Sequence, residues 1–383
     1  MSSNTAKRTI GFVFDDSLDK PDGVQQYVLI LSRWLAAQGH DVHYLVGETK
    51  RTDIANLHSL SRNIHVRFNQ NRMAMPLPAK RGPISELLQD VNFDVLHVQV
   101  PYSPFLAGRI IKLASPTTAV VGTFHIAGES ALVVAANKVL GLWVRSTLRR
   151  FDAMVAAPAA ADFAKRTCNI GCSILPLPVA LKNFYGTKPF ERYAKGKTVV
   201  YLGRFVERKG CRYLLQAVSY AVKHGMWPSD ARVVLCGGGP LEASLKSYAA
   251  EQGLEQIVSF EGYISEEDKP RYLASADVVT YPSTGGEGFG VVLLEAMAAS
   301  PGIVLAGNNP GYAGAMGDHA DQLFDPFNTA AFAERLVAAL GDGPGRKAAH
   351  TWQLAFAKQC DVPVVGRQTL DMYEQAIMKR RSN

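Results

Sequence analysis

The chain has 383 residues, of which 47% are hydrophobic and 20% charged, and this composition excludes a fibrous, disordered or disulfide-stapled protein. At roughly 100–200 residues per domain, the length predicts two domains. The net charge of +7 would attract nucleic acid, anionic lipid or phosphorylated ligands equally well, so charge alone does not choose among these partners.

Short apolar runs alternate with helical patterns along the first half of the chain. The run at 10–14 predicts a buried strand, and 24–38 predicts a helix because its apolar residues recur at helical spacing. Further strands are predicted at 41–46, 93–98, 119–123, 154–156 and 173–175. This alternation is typical of an open parallel sheet covered by helices on both faces.

The alternation stops at 175–192, where three prolines and a glycine suit a linker. It then restarts, with strands predicted at 197–202, 232–236, 257–260, 278–281 and 302–305 and helices at 212–223, 241–252, 267–274 and 291–299. We therefore predict an α/β protein of two Rossmann-like domains, residues 1–178 and 179–361, with parallel sheets and an interdomain cleft. We expect the last stretch, 362–383, to form a helix that packs back on the first domain.

The sequence contains no apolar stretch of the roughly 18–20 residues that a membrane span needs. The apolar run at 10–14 is also too short for the core of a signal peptide, so we expect a cytoplasmic protein. Cys168 and Cys172 form one close pair, but no second pair completes a metal site. This pattern favours reduced thiols and no bound metal.

Two cations follow the strand predicted at 197–202. Arg204 and Lys209 lie in the sequence GRFVERKG, beyond the carboxyl end of that strand, where open α/β sheets bind ligands. Two cations there can hold a diphosphate, and arginine can do so in bidentate fashion. The alternative is a solvated basic turn.

A glycine-rich loop follows the strand predicted at 278–281 and leads into a helix, whose free N–H groups can hold phosphate or sugar oxygens. Glu287 lies in the loop and Glu295 lies inside the helix, and both carboxylates can accept hydrogen bonds from sugar hydroxyls. The alternative is a plain turn followed by a helix with ordinary surface charges. The spacing of the two glutamates around Gly-Phe-Gly disfavours this alternative. The glycines are Gly285, Gly286, Gly288 and Gly290.

Two further candidates follow strands of the first domain. His125 follows the strand at 119–123, where an imidazole can donate or accept near neutral pH; a structural histidine is the alternative. Gly23 lies at the start of the first predicted helix, where it would let backbone N–H groups approach phosphates. The alternative is that this glycine is needed only for a tight turn. Neither this loop nor 237–240 fits a dinucleotide or P-loop motif, so no such cofactor is predicted.

Together these motifs resemble the retaining GT-B glycosyltransferases of family 4, over nearly the whole chain. The pattern G-R-x-x-x-x-K-G contains Arg204 and Lys209, and E-G-F-G-x-x-x-x-E runs from Glu287 to Glu295. The G-V-Q turn at Gly23 and the G-T-F-H segment that ends at His125 fit the same family. Within the family, the chain is similar to the phosphatidylinositol mannosyltransferases.

This resemblance implies roles for the residues. Arg204 and Lys209 would neutralise a diphosphate leaving group, Glu287 would bind the transferred sugar, and His125 would lie near the anomeric carbon, which makes these four the predicted catalytic residues. The predicted donor site comprises Gly23, Arg204, Lys209, Gly262, Tyr263, Ile264, Glu287, Gly288, Phe289, Gly290 and, at the ribose, Glu295; the predicted acceptor site comprises Asp16, Gln25 and His125. No metal or other cofactor is expected, because cations and helix dipoles neutralise the leaving group.

Residues 131–150 combine an apolar helical face with a basic stripe. The stripe is Lys138, Arg145 and Arg149, and with a nearby Trp it suits a helix lying on an anionic bilayer. A core-packing helix is the alternative. A second basic patch, Arg67, Arg72, Lys80 and Arg81, lies in a stretch expected to be a loop that meets lipid. These patterns suggest peripheral association with the inner face of a membrane.

Three functions fit these observations. The first is transfer of mannose from GDP-mannose to a membrane phospholipid such as phosphatidylinositol. The second is transfer from UDP-glucose or UDP-N-acetylglucosamine to a soluble small molecule. The third is a non-enzymatic nucleotide- or nucleic-acid-binding protein, which predicts aromatic residues interleaved with basic ones; that pattern is missing from the sequence, so no nucleic-acid partner is predicted.

Overall fold

The computed structural model describes residues 6–19, 23–68, 71–77, 79–99, 101–125, 131–287, 290–317, 319–341 and 343–382. The chain forms two compact units, of which one contains Met1–Pro178 with Val362–Asn383 and the other contains Val179–Asp361. Each unit is built around one parallel sheet, and the two are described in turn.

The first unit has a seven-stranded sheet in the order β3-β2-β1-β6-β7-β8-β9, with every described pair parallel. Its central strands are buried along nearly their whole length, as expected for a sheet covered on both faces. The strands are β1 Thr9–Phe14, β2 Asp41–Val46, β3 Leu57–Ser59, β4 Asn63–Phe68, β5 Asn71–Pro76, β6 Val95–Val98, β7 Ala119–Phe124, β8 Ala153–Ala156 and β9 Ser173–Ile174. The helices are α1 Gly23–Ala37, α2 Arg81–Val91, α3 Leu106–Leu113, α4 Ala131–Trp143, α5 Arg145–Leu148 and α6 Pro158–Cys168.

Two sequence-based expectations for this unit were wrong. The stretch 67–81 was expected as a loop, but β4 and β5 pair as an antiparallel hairpin and α2 begins at Arg81. Polar and apolar residues alternate along β4, Asn-Ile-His-Val-Arg-Phe, and this pattern favours a strand. The helix expected over 131–150 is broken at Val144 into α4 and α5.

The second unit has a six-stranded parallel sheet in the order β12-β11-β10-β13-β14-β15. In this order β10 lies between β11 and β13, so the loops after these three parallel strands lie side by side at one sheet edge. The strands are β10 Lys197–Leu202, β11 Ala231–Cys236, β12 Val258–Gly262, β13 Val278–Tyr281, β14 Ile303–Gly307 and β15 Leu323–Phe324. The helices are α7 Cys211–Lys223, α8 Glu242–Glu251, α9 Lys269–Ala274, α10 Val291–Ala299, α11 Pro310–Met316, α12 Thr329–Leu340 and α13 Pro344–Cys360.

The terminal helix, α14 Val362–Ser382, belongs to the first unit. Arg8 donates to both carboxylate oxygens of Glu374 on this helix, over 2.5 and 2.7 Å. Arg380 pairs with the buried carboxylate of Asp152 at 2.5 Å. These partly buried ion pairs hold the helix against the first unit through charge-assisted hydrogen bonds. None of the helices in the described part of the chain has both the length and the apolar character that crossing a bilayer requires.

Candidate functional site

Backbone packing brings together the loops that follow β10 and β13. A short 3₁₀ turn, Glu207–Lys209, leads into Gly210, which adopts a φ of +72°. A Cβ atom on Gly210 would lie 1.8 Å from the carbonyl oxygen of Pro282, so any other residue would push the loops apart. The close contact places the side chains before Gly210 beside the glycine-rich loop after β13.

The carboxylate of Glu287 is the centre of this contact. It accepts hydrogen bonds from Lys209 Nζ at 2.9 Å, from Arg208 Nη1 at 2.9 Å and from Ser283 Oγ at 2.7 Å. Arg208 also donates to the carbonyl oxygen of Gly286. Three donors on one nearly buried carboxylate form a charge-assisted cluster, which holds two cations at the carboxyl edge of the sheet.

Arg204, the other predicted cation, lies in the same loop but outside this cluster. Its side chain is exposed and forms no ion pair with any residue that the structure describes. Arg208 and Ser283 are not among the residues predicted from the sequence. Arg208 stands next to Lys209 in the sequence, and this adjacency was the available signal.

The start of α10 adjoins Glu287 and has backbone N–H groups without a side-chain cap. Its N-cap, Gly290, has a φ of +77°, and a Cβ atom there would lie 2.9 Å from the ring of the buried Tyr312. Burial, together with the neighbouring Glu287 carboxylate, raises the pKa of the Tyr312 phenol. The uncapped helix start is suited to binding an anion. Gly288 and Phe289 lie outside the described residues.

Glu295 lies on α10 and is bonded to a lysine that the sequence analysis did not identify. Its Oε1 accepts from Lys269 Nζ at 2.8 Å, and its Oε2 has no hydrogen-bond partner among the described residues. Burial raises the pKa of Glu295, and the lysine partly offsets this effect. Lys269 also lies 5.7 Å from the ring centre of Phe184. The free oxygen can accept a hydrogen bond from a hydroxyl group.

Three residues of the predicted donor site, Gly262, Tyr263 and Ile264, lie at the end of β12. Gly262 has a φ of +68°, and its carbonyl oxygen accepts from Gly237 N at 2.7 Å. Tyr263 is 81% exposed, and its ring lies against the backbone of Gly238, where a Cβ atom would be 2.6 Å from the ring. Ile264 packs against the core of the unit. The site therefore offers one flat aromatic face next to the sheet edge.

In the first unit, His125 follows β7 and is hydrogen-bonded to Gln99, which follows β6. His125 Nε2 lies 2.9 Å from Gln99 Oε1, while Gln99 Nε2 donates to the carbonyl oxygen of His97 at 3.4 Å. Because the amide nitrogen faces a carbonyl, the amide oxygen must face His125, whose Nε2 therefore bears the hydrogen. Burial lowers the pKa of His125 to about 4. The imidazole is thus neutral near pH 7 and has a lone pair on Nδ1.

A buried polar chain lies behind His125 and reaches the terminal helix. Tyr373 on α14 is hydrogen-bonded to His97 Nδ1 at 2.6 Å, and His97 Nε2 to Thr123 Oγ1 at 2.7 Å. Thr123 is in turn bonded to the hydroxyl of Tyr27, whose ring meets that of His125 edge-on at 5.0 Å. This chain packs against the imidazole and restricts its orientation.

The predicted acceptor residues other than His125 lie near the end of β1. Gln25 is buried and donates to the carbonyl oxygen of Ser17 at 3.2 Å, while Asp16 accepts from Ser17 N at 2.6 Å. Gly23, predicted near the donor phosphates, begins α1, and a Cβ atom there would meet no atom within 4 Å. The side chains of Asp16 and Gln25 therefore both bond to the backbone of Ser17, in the described part of the segment that precedes α1.

Asp15, which was not predicted from the sequence as a site residue, is buried next to Asp16. It accepts hydrogen bonds from Ser103 Oγ and, at 2.8 Å, from Ala107 N in the first turn of α3. Burial raises the pKa of Asp15 to about 6. Asp15 therefore joins the end of β1 to α3.

The described residues include no group of three or more His, Cys, Asp or Glu side chains that could hold a metal ion. The five cysteines are free; Cys211, Cys236 and Cys360 are buried, and Cys168 and Cys172 are half-buried.

Comparison with known proteins identifies two family domains. Residues 21–163 match "Glycosyltransferase Family 4" and residues 187–353 match "Glycosyl transferases group 1". A phosphatidyl-myo-inositol mannosyltransferase of Mycobacterium leprae is 29% identical over 95% of this chain and 96% of its own. A GDP-mannose-dependent alpha-(1-6)-phosphatidylinositol monomannoside mannosyltransferase of Mycobacterium tuberculosis is 37% identical over 32% of each chain. The crystal structure of a Rickettsia africae glycosyltransferase has a TM-score of 0.73 at 16% identity, covering 97% of this chain and 99% of its own.

Proposed function

Since the chain belongs to the GT-B glycosyltransferases of family 4, we propose that it transfers mannose from GDP-mannose to a membrane phospholipid such as phosphatidylinositol, with retention at the anomeric carbon. The mannosyltransferase relatives, one of which is named for its GDP-mannose dependence, support this donor and this acceptor class. A water-soluble donor and a lipid acceptor meet at a membrane surface, so the proposal includes a peripheral location at the inner face.

The observation on which the proposal depends is the cluster of Arg208, Lys209 and Ser283 around Glu287, at the start of α10. Phosphate oxygens can replace the carboxylate as partners of the two cations, and the uncapped N–H groups of α10 can bind the same phosphates. Glu287 is then free to accept hydrogen bonds from sugar hydroxyls. The exposed Arg204 supplies a further cation in this loop. These groups neutralise the leaving diphosphate without a metal ion.

Two further groups of the second unit fit other parts of the donor. The unpartnered Oε2 of Glu295 can accept from a ribose hydroxyl, and the exposed ring of Tyr263 offers a stacking surface for the base. In the first unit, neutral His125 can accept a hydrogen bond from a sugar hydroxyl through Nδ1. This acceptor role does not require His125 to be protonated.

The reaction proposed here takes place on one face of the sugar. The bond from the anomeric carbon to the β-phosphate oxygen breaks while a bond to the acceptor hydroxyl oxygen forms. The proton of that hydroxyl passes to the departing phosphate, so no protein nucleophile is needed. Cations on the leaving group stabilise the charge that develops there.

A thermal-shift panel of sugar nucleotides tests the donor, because a ligand that binds only the folded state raises stability by about 2.7 kcal/mol at one hundred times its Kd. GDP-mannose is expected to give the largest shift, ahead of UDP-glucose and UDP-N-acetylglucosamine. Transfer of radiolabelled mannose to a detergent-extracted lipid pool tests the acceptor. A larger shift with a UDP-sugar, or label only in water-soluble products, would replace this proposal with a soluble-acceptor enzyme.

A further inference from the structure

Helix α4 has one packed side and one apolar side that no described residue covers. On the packed side, a Cβ atom at Gly141 would lie 3.0 Å from Cys168 Sγ at the end of α6, so the two helices are in close contact. On the other side, Val139, Leu142 and Trp143 are 69%, 72% and 69% exposed. Large apolar side chains grouped at a surface usually mark a binding site for an apolar partner.

A basic groove adjoins these apolar residues. The groove, of about 520 Å³, lies between α4, α5 and the end of α6, and its lining includes Leu142. Its cations are Lys138, Arg145, Arg149 and Arg166. None of the four forms an ion pair with a carboxylate in the described part of the chain. Four cations without counter-charges repel one another and attract an anion.

We propose that α4, α5 and the end of α6 form a docking surface for an anionic phospholipid bilayer. Val139, Leu142 and Trp143 enter the boundary between head groups and acyl chains, while the four cations of the groove bind lipid phosphates. This arrangement matches the charge and apolar pattern of helices that lie in a membrane interface. The inference deepens the proposed function and rests on it, because docking brings the enzyme to its lipid acceptor.

The charge on the groove favours a membrane over two other occupants. A second copy of this chain, bound through the same surface, would place four cations against four cations, which is unfavourable without counter-ions. A nucleic acid would leave Val139 and Leu142 exposed to water, and it would find one aromatic ring, Trp143, to stack on. A bilayer with anionic head groups matches both the charge and the apolar side chains.

Vesicle co-sedimentation of the full-length chain tests the docking surface. Wild-type protein is expected to bind phosphatidylcholine vesicles that contain phosphatidylglycerol, and to bind pure phosphatidylcholine weakly, with the difference shrinking as salt rises. A cation near an anionic surface contributes roughly fivefold in affinity, so the double variant Arg145→Glu, Arg149→Glu is expected to lose at least about twenty-five-fold. Leu142→Ser with Trp143→Ser is expected to weaken binding at every salt concentration.

The matched control changes the same charge elsewhere. Lys188→Glu with Arg367→Glu alters two exposed cations outside the docking surface and is expected to bind vesicles nearly as wild type does, apart from a small long-range effect of net charge. Circular dichroism melts establish that every variant folds. The proposal would be overturned if the control and the Arg145, Arg149 variant lost equal affinity for anionic vesicles. It would also be overturned if the wild-type protein did not bind anionic vesicles. Self-association abolished by Leu142→Ser would instead make this surface an interface between copies.

The same proteins separate this inference from the proposed function. If the protein binds anionic vesicles but transfers no sugar to lipid, the proposed acceptor is contradicted and the proposed docking surface is still supported. Protein that mannosylates detergent-dispersed lipid but does not bind vesicles would overturn the docking surface alone. In the Arg145, Arg149 variant, the thermal shift with the donor nucleotide is expected to equal that of wild type.

Discussion

Gln99 determines which nitrogen of His125 bears the hydrogen. The 2.9 Å contact from His125 Nε2 to Gln99 Oε1, together with the bond from the Gln99 amide to the carbonyl of His97, allows only the Nε2–H tautomer of the neutral ring. The lone pair on Nδ1 is therefore available to a substrate hydroxyl. Gln99 is a positioning residue in this arrangement, and its role can be separated from that of a packing residue.

Replacing Gln99 with leucine should remove the preference of His125 for the Nε2–H tautomer, while the volume of the side chain at position 99 stays nearly the same. Loss of one hydrogen bond is worth about 1 kcal/mol, so we expect kcat to fall roughly five- to tenfold. Long-range ¹H–¹⁵N correlation spectra should show Nε2–H in wild type and a mixture of tautomers in Gln99→Leu.

Gln99→Glu is the matched variant, because it keeps an acceptor opposite Nε2. Its negative charge should restore the Nε2–H form and raise the pKa of His125 above the value of about 4 that burial produces in wild type. A titration of the ring resonances measures this shift. An Nδ1–H signal in wild type, or unchanged tautomers in Gln99→Leu, would contradict the assignment.

Lys209→Ala should remove most of the activity without unfolding the protein. Removing one preorganised donor from a developing charge typically lowers kcat by about 10²–10³, and Lys209 is the less exposed of the two cations on Glu287. Arg208→Ala should have a smaller effect, since half of its side chain is exposed. Steady-state kinetics with GDP-mannose, with Lys188→Ala as the control, measure both. Wild-type turnover in Lys209→Ala would remove this cluster from the donor site.

The Glu295–Lys269 pair should make substitutions at Glu295 costly for stability as well as for binding. Glu295→Ala leaves the largely shielded Lys269 with the exposed Glu266, 3.3 Å away, as its remaining counter-charge. The loss should therefore fall below the roughly 3–5 kcal/mol that a fully unpaired buried charge costs. Glu295→Gln retains an acceptor oxygen and should lose less stability, yet it should still weaken donor binding if the carboxylate binds the ribose. Urea unfolding and nucleotide titrations measure the two effects separately. Equal unfolding free energies for Glu295→Ala and wild type would show that the pair contributes little.

Asp15 should make the folded state less stable as pH rises from about 4 to about 6. Because burial raises its pKa from 3.8 to about 6, the folded state favours the protonated acid, so its stabilising contribution is complete below the unfolded pKa and is lost as pH rises through the folded value. At 1.36 kcal/mol per pKa unit, the loss amounts to about 3 kcal/mol. The unfolding free energy of wild type relative to Asp15→Asn, measured across this range, isolates the effect. A difference in unfolding free energy that stays constant between about pH 4 and about pH 6 would contradict this prediction.

The order of strands and helices was readable from the sequence because burial on both faces of a parallel sheet leaves a local signal. Continuous apolar runs such as those at 10–14 and 197–202 mark strands, and they lie within one or two residues of β1 and β10. The glycines and charged residues that follow such runs indicated the strand ends at which the candidate site lies. Hairpin β4–β5 was missed because no continuous apolar run marks its strands, Asn63–Phe68 and Asn71–Pro76.

Which side chains meet was decided by the tertiary structure alone. The sequence paired Arg204 with Lys209, whereas backbone contact at Gly210 places Arg208 and Lys209 on Glu287, more than seventy residues away in the chain. The same holds for Lys269 with Glu295 and for Gln99 with His125. Sequence periodicity reports burial along one element, while these contacts depend on the register and packing of separate elements, which no local pattern encodes.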